Sequence, residues 1–479
     1  MAYTATDKAI SFFRPYSYTG TGSSTTKTDV GFTPDMAWGK NRANNQSHWI
    51  LDSVRGNGNY IVPNATSAQN NDVGAYGFTS GGFTFPSGDA FFNGSGNGHI
   101  AWSWLMGGTS PSKTYTVKVV SDSGNKYRFD DFGTSAVTLD LQEGGTYTFD
   151  SSDSSVNSHP FVLGTSSGTD GSYDTGVTYK LDGVTKTYSQ YTSGFSSASS
   201  RQLIITVAAS APTLYYNCSV HSGMGGSINT NSTTGSSDFG GSGQSLVNAN
   251  TTTGCSIVKY SGTGSSQTIG HGLGVLPNMM WIRRLDGTED WSVYFKDHGG
   301  AGGSGSGYYQ ALNTTEARSS NNNRFSAAPT STAFTVNSHS AVNHSGGSHI
   351  AYCFANKPGF SKAGTYVGNG SSDGTFVFTG FKPSFVMYKG MTGSNAVDNW
   401  EIQDNARFNT DKHNPQNETL YPNANNAEGV DTTDRMDFLS NGFKMRTNGS
   451  DYNGSGQTYI YLAFGQTMVG SNNIPSTAY

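Results

Sequence analysis

Cysteine, histidine and methionine occur together in one short stretch near the middle of the 479-residue chain. Cys218, His221 and Met224 follow one another at intervals of three residues, directly after the Tyr-rich, strand-like run 213–217. A thiolate and a thioether are soft ligands, and together with an imidazole they suit copper better than magnesium or calcium. The spacing puts all three on one loop at a strand end, so the stretch indicates a site for a soft metal ion.

This loop resembles the copper-binding loop of cupredoxins, particularly the short-loop amicyanin form. The upstream run 144–149, followed by His159 and Pro160, is similar to that family's "Gly-x-x-Tyr-x-Phe … His" segment. The resemblance implies a Greek-key β-sandwich with copper held by His159, Cys218, His221 and Met224. A departure is the Ser/Gly/Thr-rich stretch 164–200 between His159 and Cys218. The alternative is that the cupredoxin-like fold serves only as a surface module, with its site empty or occupied by another soft metal.

The chain around this segment is built from a repeated pattern. A Gly/Ser/Asn turn followed by an alternating, mostly aromatic strand occurs at 93–104, 343–354 and 453–464. Each copy is preceded by a Gly/Ser turn, a Pro-initiated strand ending in a cation, a tryptophan strand and a Gly/Ala-Phe strand. Five landmarks in one order, three times, predict a β-sandwich module of about 100 residues used three times.

We therefore predict an all-β protein with three lectin-like or jelly-roll β-sandwich modules and one cupredoxin-like Greek-key β-sandwich. Charged residues are only 13% of the chain, aromatic residues are also 13%, and Gly accounts for 63 positions. This composition favours short strands and tight turns over disorder. The predicted boundaries are 1–108 (module 1), 113–228 (cupredoxin-like domain), 229–254 (Ser/Thr/Gly/Asn linker), 255–356 (module 2), 357–470 (module 3) and 471–479 (tail).

Several classes of function are disfavoured. A net charge of −5 without a basic stripe argues against nucleic acid as a partner. No run reaches the roughly 18 apolar residues of a membrane helix, and residues 1–8 lack the apolar core of a signal peptide. The three cysteines show no disulfide framework, which fits synthesis in a reducing cytoplasm. Without a nucleophile elbow, a P-loop or recurring paired carboxylates, we predict that the protein is not an enzyme.

Module 1 carries the candidates for ligand contact. Trp38 and Trp49 could line a sugar-binding face, although core burial is the alternative for both. Lys40 could contact a ligand from its strand end or simply pair there. Arg55 belongs to the run 52–56, which we expect to be missing from modules 2 and 3. His48, His99 and His349 recur near module strands, but Tyr459 replaces the last in module 3, so we expect no metal there.

The runs 31–42 and 52–56 look like a repeat found in structural proteins of marine bacteriophages, often beside a cupredoxin-like domain. Together the two resemblances cover nearly the whole chain. They imply a virion protein made in the host cytoplasm, as a tail fibre or similar host-facing appendage that binds a cell-surface glycan or protein. Expected partners are other copies of the chain, in a trimer for a fibre, other virion proteins and the host receptor. The alternatives are a capsid- or tail-decorating protein without receptor, a copper-binding surface protein with carbohydrate-binding repeats, and a depolymerising enzyme.

Overall fold

The structure, a computed structural model, describes residues 8–72, 76–108, 111–299, 304–320, 323–392, 398–407, 414–430 and 435–466. The predicted tail, 471–479, lies outside these residues. The chain forms two compact units, one made of residues 1–107, 249–267 and 271–479 and the other of 108–248 and 268–270. Strands and a few short helices make up both units, and this confirms the predicted all-β class. None of the helices in the described ranges has the length and apolar composition needed to cross a bilayer.

The elements of module 1 are β1 (Phe13–Thr19), β2 (Thr25–Lys27), β3 (Met36–Asn41), β4 (Trp49–Asp52), β5 (Asn59–Ile61), β6 (Asn70–Asn71), β7 (Gly77–Thr79), β8 (Gly82–Phe85), α1 (Ala90–Asn93) and β9 (Gly98–Trp104). The next part of the chain contains β10 (Ser112–Ser121), β11 (Asn125–Phe129), β12 (Leu139–Gln142), β13 (Thr146–Asp150), β14 (Phe161–Gly164), β15 (Val177–Leu181), β16 (Val184–Lys186), α2 (Tyr188–Gly194), β17 (Arg201–Thr206), β18 (Leu214–Cys218), β19 (Gly226–Asn231), β20 (Ser236–Asp238) and β21 (Ser245–Asn250).

The region of module 2 contains β22 (Cys255–Ser261), β23 (Gln267–Gly270), β24 (Met279–Arg284), β25 (Ser292–Phe295), β26 (Tyr308–Tyr309), β27 (Ser319–Ser320), β28 (Ala333–Val336), α3 (Ser340–Asn343) and β29 (Ser348–Phe354). Module 3 contains β30 (Ser361–Val367), β31 (Phe376–Phe378), β32 (Pro383–Thr392), β33 (Glu401–Asp404), β34 (Glu418–Thr419), β35 (Gly429–Val430), β36 (Met436–Leu439), β37 (Gly442–Met445), α4 (Ser450–Asn453) and β38 (Thr458–Gly465). Single 3-10 turns occur at Ala9–Ser11, Ser154–Val156 and Phe195–Ser197.

The three modules of the first unit share one arrangement of their main sheet. The last strand lies between the first strand and the Pro-initiated strand, giving the orders β1-β9-β3-β4, β22-β29-β24-β25 and β30-β38-β32-β33. All neighbouring pairs in these orders are antiparallel. In modules 1 and 3 a smaller sheet, β2-β8-β7 or β31-β37-β36, supplies further side chains to the aromatic core.

A buried asparagine explains why the Gly/Ser/Asn turn recurs with the last strand. Its side chain accepts from one backbone N–H of the Gly/Ser turn and donates to a carbonyl two residues later, so it holds the two segments together. The bonds are Thr21 N to Asn93 Oδ1 and Asn93 Nδ2 to Ser23 O; Thr263 N to Asn343 Oδ1 and Asn343 Nδ2 to Ser265 O; and Asn369 N to Asn453 Oδ1 and Asn453 Nδ2 to Ser371 O. The same asparagine therefore fixes the same turn three times.

Side chains on the last strands of modules 1 and 2 reach into other modules. Trp102, Tyr352 and Leu462 hold matching positions in these strands, opposite Trp38, Trp281 and Met387 respectively. Trp102 Nε1 donates to Asp404 Oδ2 at 2.8 Å, which joins module 1 to module 3. The Tyr352 hydroxyl donates to Asp52 Oδ2 at 2.6 Å, which joins module 2 to module 1.

The tryptophan strands add a similar contact at each of the three pairs of modules, in which a ring of one module meets the backbone of another. His48, Trp291 and Trp400 occupy matching positions, because the backbone N–H of each donates to Asn64, Asn313 or Asn423 Oδ1 respectively. Their ring contacts are Trp291 Nε1 to Val62 O at 3.1 Å, Trp400 Nε1 to Ala311 O at 2.8 Å, and His48 with the Tyr421 backbone. Module 2 thus contacts module 1, module 3 contacts module 2, and module 1 contacts module 3. Each of the three modules therefore contacts both of the others.

The second unit contains the cupredoxin-like segment and continues beyond its predicted end. Its sheets have the orders β11-β10-β13-β17-β15-β16 and β12-β19-β18-β14, around an aromatic core that includes Phe149, Phe161 and Tyr216. Residues 229–254, predicted as a linker, instead contain the second half of β19 and all of β20 and β21. Within them Phe239 joins this core, and the Ser237 carbonyl accepts from the Tyr115 hydroxyl at 2.8 Å. Folding of the polar stretch depends on these contacts with the rest of the unit.

Candidate metal centre

Two neighbouring strands bring the predicted ligands to one end of the second unit. β14 and β18 are antiparallel, with Phe161 opposite Cys218 at the end of β18. His159 lies two residues before β14, so it reaches the same end of the sheet. Its backbone N–H donates to Val156 O at 2.8 Å, and its carbonyl accepts from the Tyr127 hydroxyl at 2.9 Å. The histidine is therefore held by backbone contacts that leave its ring free to face the cysteine.

The side chains of His159, Cys218 and His221 form a compact cluster. The two Nδ1 atoms are 3.0 Å apart, and Cys218 Sγ lies 3.8 Å from His159 Nδ1 and 3.6 Å from His221 Nδ1. Nitrogen ligands at about 2.0 Å and a sulfur ligand at about 2.3 Å from a common ion would themselves lie roughly 3–4 Å apart. The observed separations thus fit three ligands of one metal ion.

The loop that carries His221 and Met224 is shaped by two glycines. Gly223 has a φ of +77°, in the left-handed region that favours glycine. A Cβ on Gly225 would lie 1.6 Å from the Tyr216 carbonyl oxygen, so only glycine allows this close approach. Met224 is 2% exposed and belongs to the same core cluster as Cys218, and its carbonyl accepts from Tyr127 N at 2.9 Å. Met224 is thus buried in the interior of the unit, three residues after His221.

Burial and a neighbouring imidazole control the charge of His159. Both burial and the nearby His221 lower the pKa of His159, in that order of size. Its Nε2 atom lies 3.4 Å from Asn125 Nδ2, which leaves Nδ1 on the side of Cys218. A neutral imidazole is the form that binds a metal ion, so the site favours the metal-binding state of this residue.

The long stretch between the two parts of the site is tied down close to it. Asn217, the neighbour of Cys218, donates through Nδ2 to Ser166 O and Asp170 O, both at 2.9 Å. The intervening chain then forms β15 and β16, which lie at the edge of the sheet next to β17, and α2, which packs against these two strands. The insertion therefore does not separate His159 from Cys218. Sequence reasoning missed Asn125, Tyr127 and Asn217 as supports, because a single amide or hydroxyl has no recognisable spacing.

The four ligand-contact candidates of module 1 are buried. Trp38, Lys40 and Trp49 are 0% exposed, and Arg55 is 7% exposed. Trp38 Nε1 donates to His48 Nδ1 at 3.0 Å, and Lys40 Nζ donates to the carbonyls of Asn41 and Asn44. These are structural contacts, and they leave no surface of the three side chains for a ligand.

Arg55 forms a buried ion pair that a second module repeats. Its Nε lies 2.5 Å from Asp52 Oδ2, and Arg407 Nε lies 2.6 Å from Asp404 Oδ2 with the same spacing in sequence. The expectation that module 3 lacks this element is wrong: the Asp-x-x-Arg core remains although the residues around it differ. In module 2 the matching positions hold Phe295 and His298.

The recurring histidines of the last strands stack on tyrosines. His99 lies 5.1 Å from the Tyr18 ring, His349 lies 5.2 Å from the Tyr260 ring, and Tyr459 lies 4.8 Å from the Tyr366 ring, all nearly parallel. Burial lowers the pKa of His99 and of His349 to about 4. The three modules thus share a planar ring, histidine or tyrosine, stacked on a tyrosine at this position.

Among the described residues, the His159 cluster is the grouping of His, Cys, Asp and Glu atoms close enough to hold a metal ion.

Comparison with known families matches residues 8–130 and 227–467 to the family described as "Domain of unknown function (DUF7483)". The match covers the three modules and omits 131–226, where His159, Cys218, His221 and Met224 lie. Comparison with curated proteins found no match.

Proposed function

The chain belongs to the family described as "Domain of unknown function (DUF7483)", and for this member we propose a non-enzymatic structural and adhesive role in a bacteriophage particle. The proposed place is a tail fibre or similar host-facing appendage that binds a cell-surface glycan or protein. The observation that carries the proposal is the cycle of buried contacts among the three modules. Because of these contacts, the three repeats, which resemble phage structural repeats, form one compact unit rather than three independent domains.

The polar groups of the repeats are used to hold this body together. The buried ion pairs Asp52–Arg55 and Asp404–Arg407 each serve a junction between modules through Tyr352 or Trp102. A buried carboxylate that gains both a cation and a neutral donor is well satisfied, and losing either partner costs stability. Junctions stabilised in this way are rigid, and rigidity suits a structural component of a particle that bears mechanical load.

Assembly with other chains follows from the same role. As part of a fibre the protein would form a homo-oligomer, and we expect a trimer. Closed cyclic symmetry is the usual arrangement of homo-oligomers. The oligomer would attach to other virion proteins. Several weak receptor sites held together act at high effective concentration. A capsid- or tail-decorating protein without a receptor is the close alternative, and it differs only in where the chain lies on the particle and in cell binding.

The second unit supports copper binding as an additional function. The specific observation is the cluster of His159, Cys218 and His221, whose separations fit a shared ion. The predicted fourth ligand, Met224, is buried on the same loop. A copper ion bound there would supply one-electron chemistry, while the chain would hold the ligands in place and shield the cysteine from solvent. This favours copper binding by the second unit in addition to the structural role proposed for the three modules.

The structural proposal is tested by locating the chain in an image reconstruction of purified particles and by measuring the binding of the purified chain to host cells. We expect density for the chain on an appendage and saturable binding to cells. Density on the capsid without cell binding would support the decorating alternative. A chain that fits no particle density would overturn the proposal.

Copper binding is tested by titrating the apo protein with Cu(II) and recording the visible spectrum. We expect one equivalent to produce an intense thiolate-to-copper band that Cys218→Ser abolishes. Cys353→Ser is the matched control, because Cys353 is also buried but lies in module 2, and module 1 has serine at this position. If the wild type shows no visible band when Cu(II) is in excess, the copper-binding function is wrong and the unit has only a structural role.

A further inference from the structure

Module 3 carries an exposed aromatic patch that module 1 lacks. On the edge strand β31, Phe376 and Phe378 are 44% and 56% exposed, whereas Val377 between them is buried. Measured from the shared Gly-Phe strand, the matching residues of module 1 are Thr26 and Thr28. The fold is thus satisfied by threonine at both places. Two exposed phenylalanines on one side of a strand point instead to a binding surface.

A pocket of about 450 Å³ opens beside Phe378. Its lining includes Lys357 and Lys362, and no acidic side chain is among the described residues that form it. Lys362 Nζ lies 5.3 Å from the centre of the Phe378 ring and donates to the Phe378 carbonyl at 2.7 Å. That bond uses one of its three N–H donors, so the ammonium group can still bind an anion.

We propose that Phe376, Phe378, Lys357 and Lys362 bind an acidic polysaccharide, with a sugar ring against the phenylalanines and its carboxylate at the lysines. The apolar face of a pyranose ring packs against an aromatic ring, and a carboxylate forms charge-assisted hydrogen bonds with lysine. The pocket volume lies within the range of small-ligand sites. A second copy of the chain is a poorer occupant, because a symmetric contact would place these lysines against each other. The inference names a ligand class for the proposed host-facing role and rests on it.

The test is calorimetric titration of the full chain with alginate oligosaccharides, which are polyuronates, and with neutral dextran oligosaccharides. We expect binding of alginate alone, weakened by salt. Phe378→Thr, which introduces the threonine of module 1, and Lys362→Gln should each weaken it about tenfold, or about 1.4 kcal/mol. Thr26→Ala, on the matching strand of module 1, should leave the affinity unchanged.

Circular dichroism and the melting temperature establish that each variant is folded, and Phe376→Thr and Lys357→Gln replace any variant that is not. The proposal is overturned if alginate does not bind, if dextran binds equally well, or if the folded phenylalanine variants keep full affinity. It is also overturned if the wild type is a dimer that Phe378→Thr dissociates, since the patch would then belong to a second copy. The titration uses no particles, so its failure is distinct from absence of the chain in particle density.

Discussion

The Tyr352 hydroxyl of module 2 donates a 2.6 Å hydrogen bond to the Asp52 carboxylate of module 1, 300 residues away in the chain. Asp52 also accepts from Arg55 Nε at 2.5 Å, and both side chains of that pair are buried. Tyr352 therefore completes the hydrogen bonding of an ion pair that belongs to another module. The junction couples the stability of module 1 to the presence of module 2.

Tyr352→Phe should destabilise the first unit by about 1–3 kcal/mol, because it leaves the buried Asp52 carboxylate without one of its donors. Urea unfolding followed by tryptophan fluorescence is the measurement, since all seven tryptophans of the chain lie in this unit. Thr26→Ala is the control: it removes an exposed 3.1 Å contact with Thr84 and should change stability by less than about 0.5 kcal/mol. Equal effects of the two substitutions would contradict the coupling role of Tyr352.

Local sequence patterns predicted the strands and turns better than the contacts between modules. The tryptophan landmark shows the difference: Trp291 and Trp400 match His48, whereas Trp49 is the next residue and packs 4.9 Å from the Phe92 ring. Trp291 and Trp400 contact a neighbouring module, whereas Trp49 packs in the core of its own module. A pattern of residue types could not distinguish the two cases, because the difference depends on contacts with another module.

The candidate site was predicted more completely than the interfaces. Cys218, His221 and Met224 share one loop, so their spacing alone brings them together. His159 required the pairing of β14 with β18, which the resemblance to cupredoxins implied and the strand register provides. The run 229–254 was misassigned because its polar composition hides contacts such as that of Phe239 with the core.

His349→Tyr should leave the protein folded and reduce its sensitivity to acid. Module 3 already has Tyr459 at this position, stacked on Tyr366. Burial holds the pKa of His349 at about 4, below its unfolded value of about 6.5. Between these values the unfolded chain binds more protons than the native one, so stability is present above about pH 6.5 and is lost as the pH falls towards 4.

The measurement is the free energy of unfolding of wild type and His349→Tyr at pH values from 7 to 4. The variant should lose less stability over this window, by up to about 1.4 kcal/mol per pH unit. His99 has the same lowered pKa and remains in the variant, so part of the acid sensitivity should persist. Identical pH profiles for the two proteins would contradict the assignment.

Copper should stabilise the second unit against heat if the His159 cluster binds it. A ligand that binds only the native state adds about 2.7 kcal/mol when its concentration is 100 times its dissociation constant. Differential scanning calorimetry with and without Cu(II) would show the shift as a higher transition temperature. Cys218→Ser should remove the shift and Cys353→Ser should keep it. A shift that survives Cys218→Ser would place the stabilising metal elsewhere.

Arg407→Met should be among the most destabilising substitutions in the first unit. Arg407 lies 2.6 Å from Asp404 Oδ2 and 2.8 Å from Glu428 Oε2, and its own side chain is 0% exposed. Removing one member of a buried ion pair leaves uncompensated charge, at a cost of about 3–5 kcal/mol. Here two carboxylates would lose their shared cation, although Glu428 would retain Arg42 at 2.6 Å and Asp404 would retain Trp102.

The matched control for this substitution is Lys444→Met. It removes a cation from Asp373, whose side chain is 82% exposed, and an ion pair of this kind contributes at most about 1 kcal/mol. Both variants are compared with wild type by urea unfolding monitored through tryptophan fluorescence. A loss in Arg407→Met no larger than in Lys444→Met would mean that the junction of modules 1 and 3 does not depend on its buried arginine. The larger loss is expected because the Asp404 side chain is fully buried and that of Glu428 is only 9% exposed, so water solvates the two carboxylates poorly.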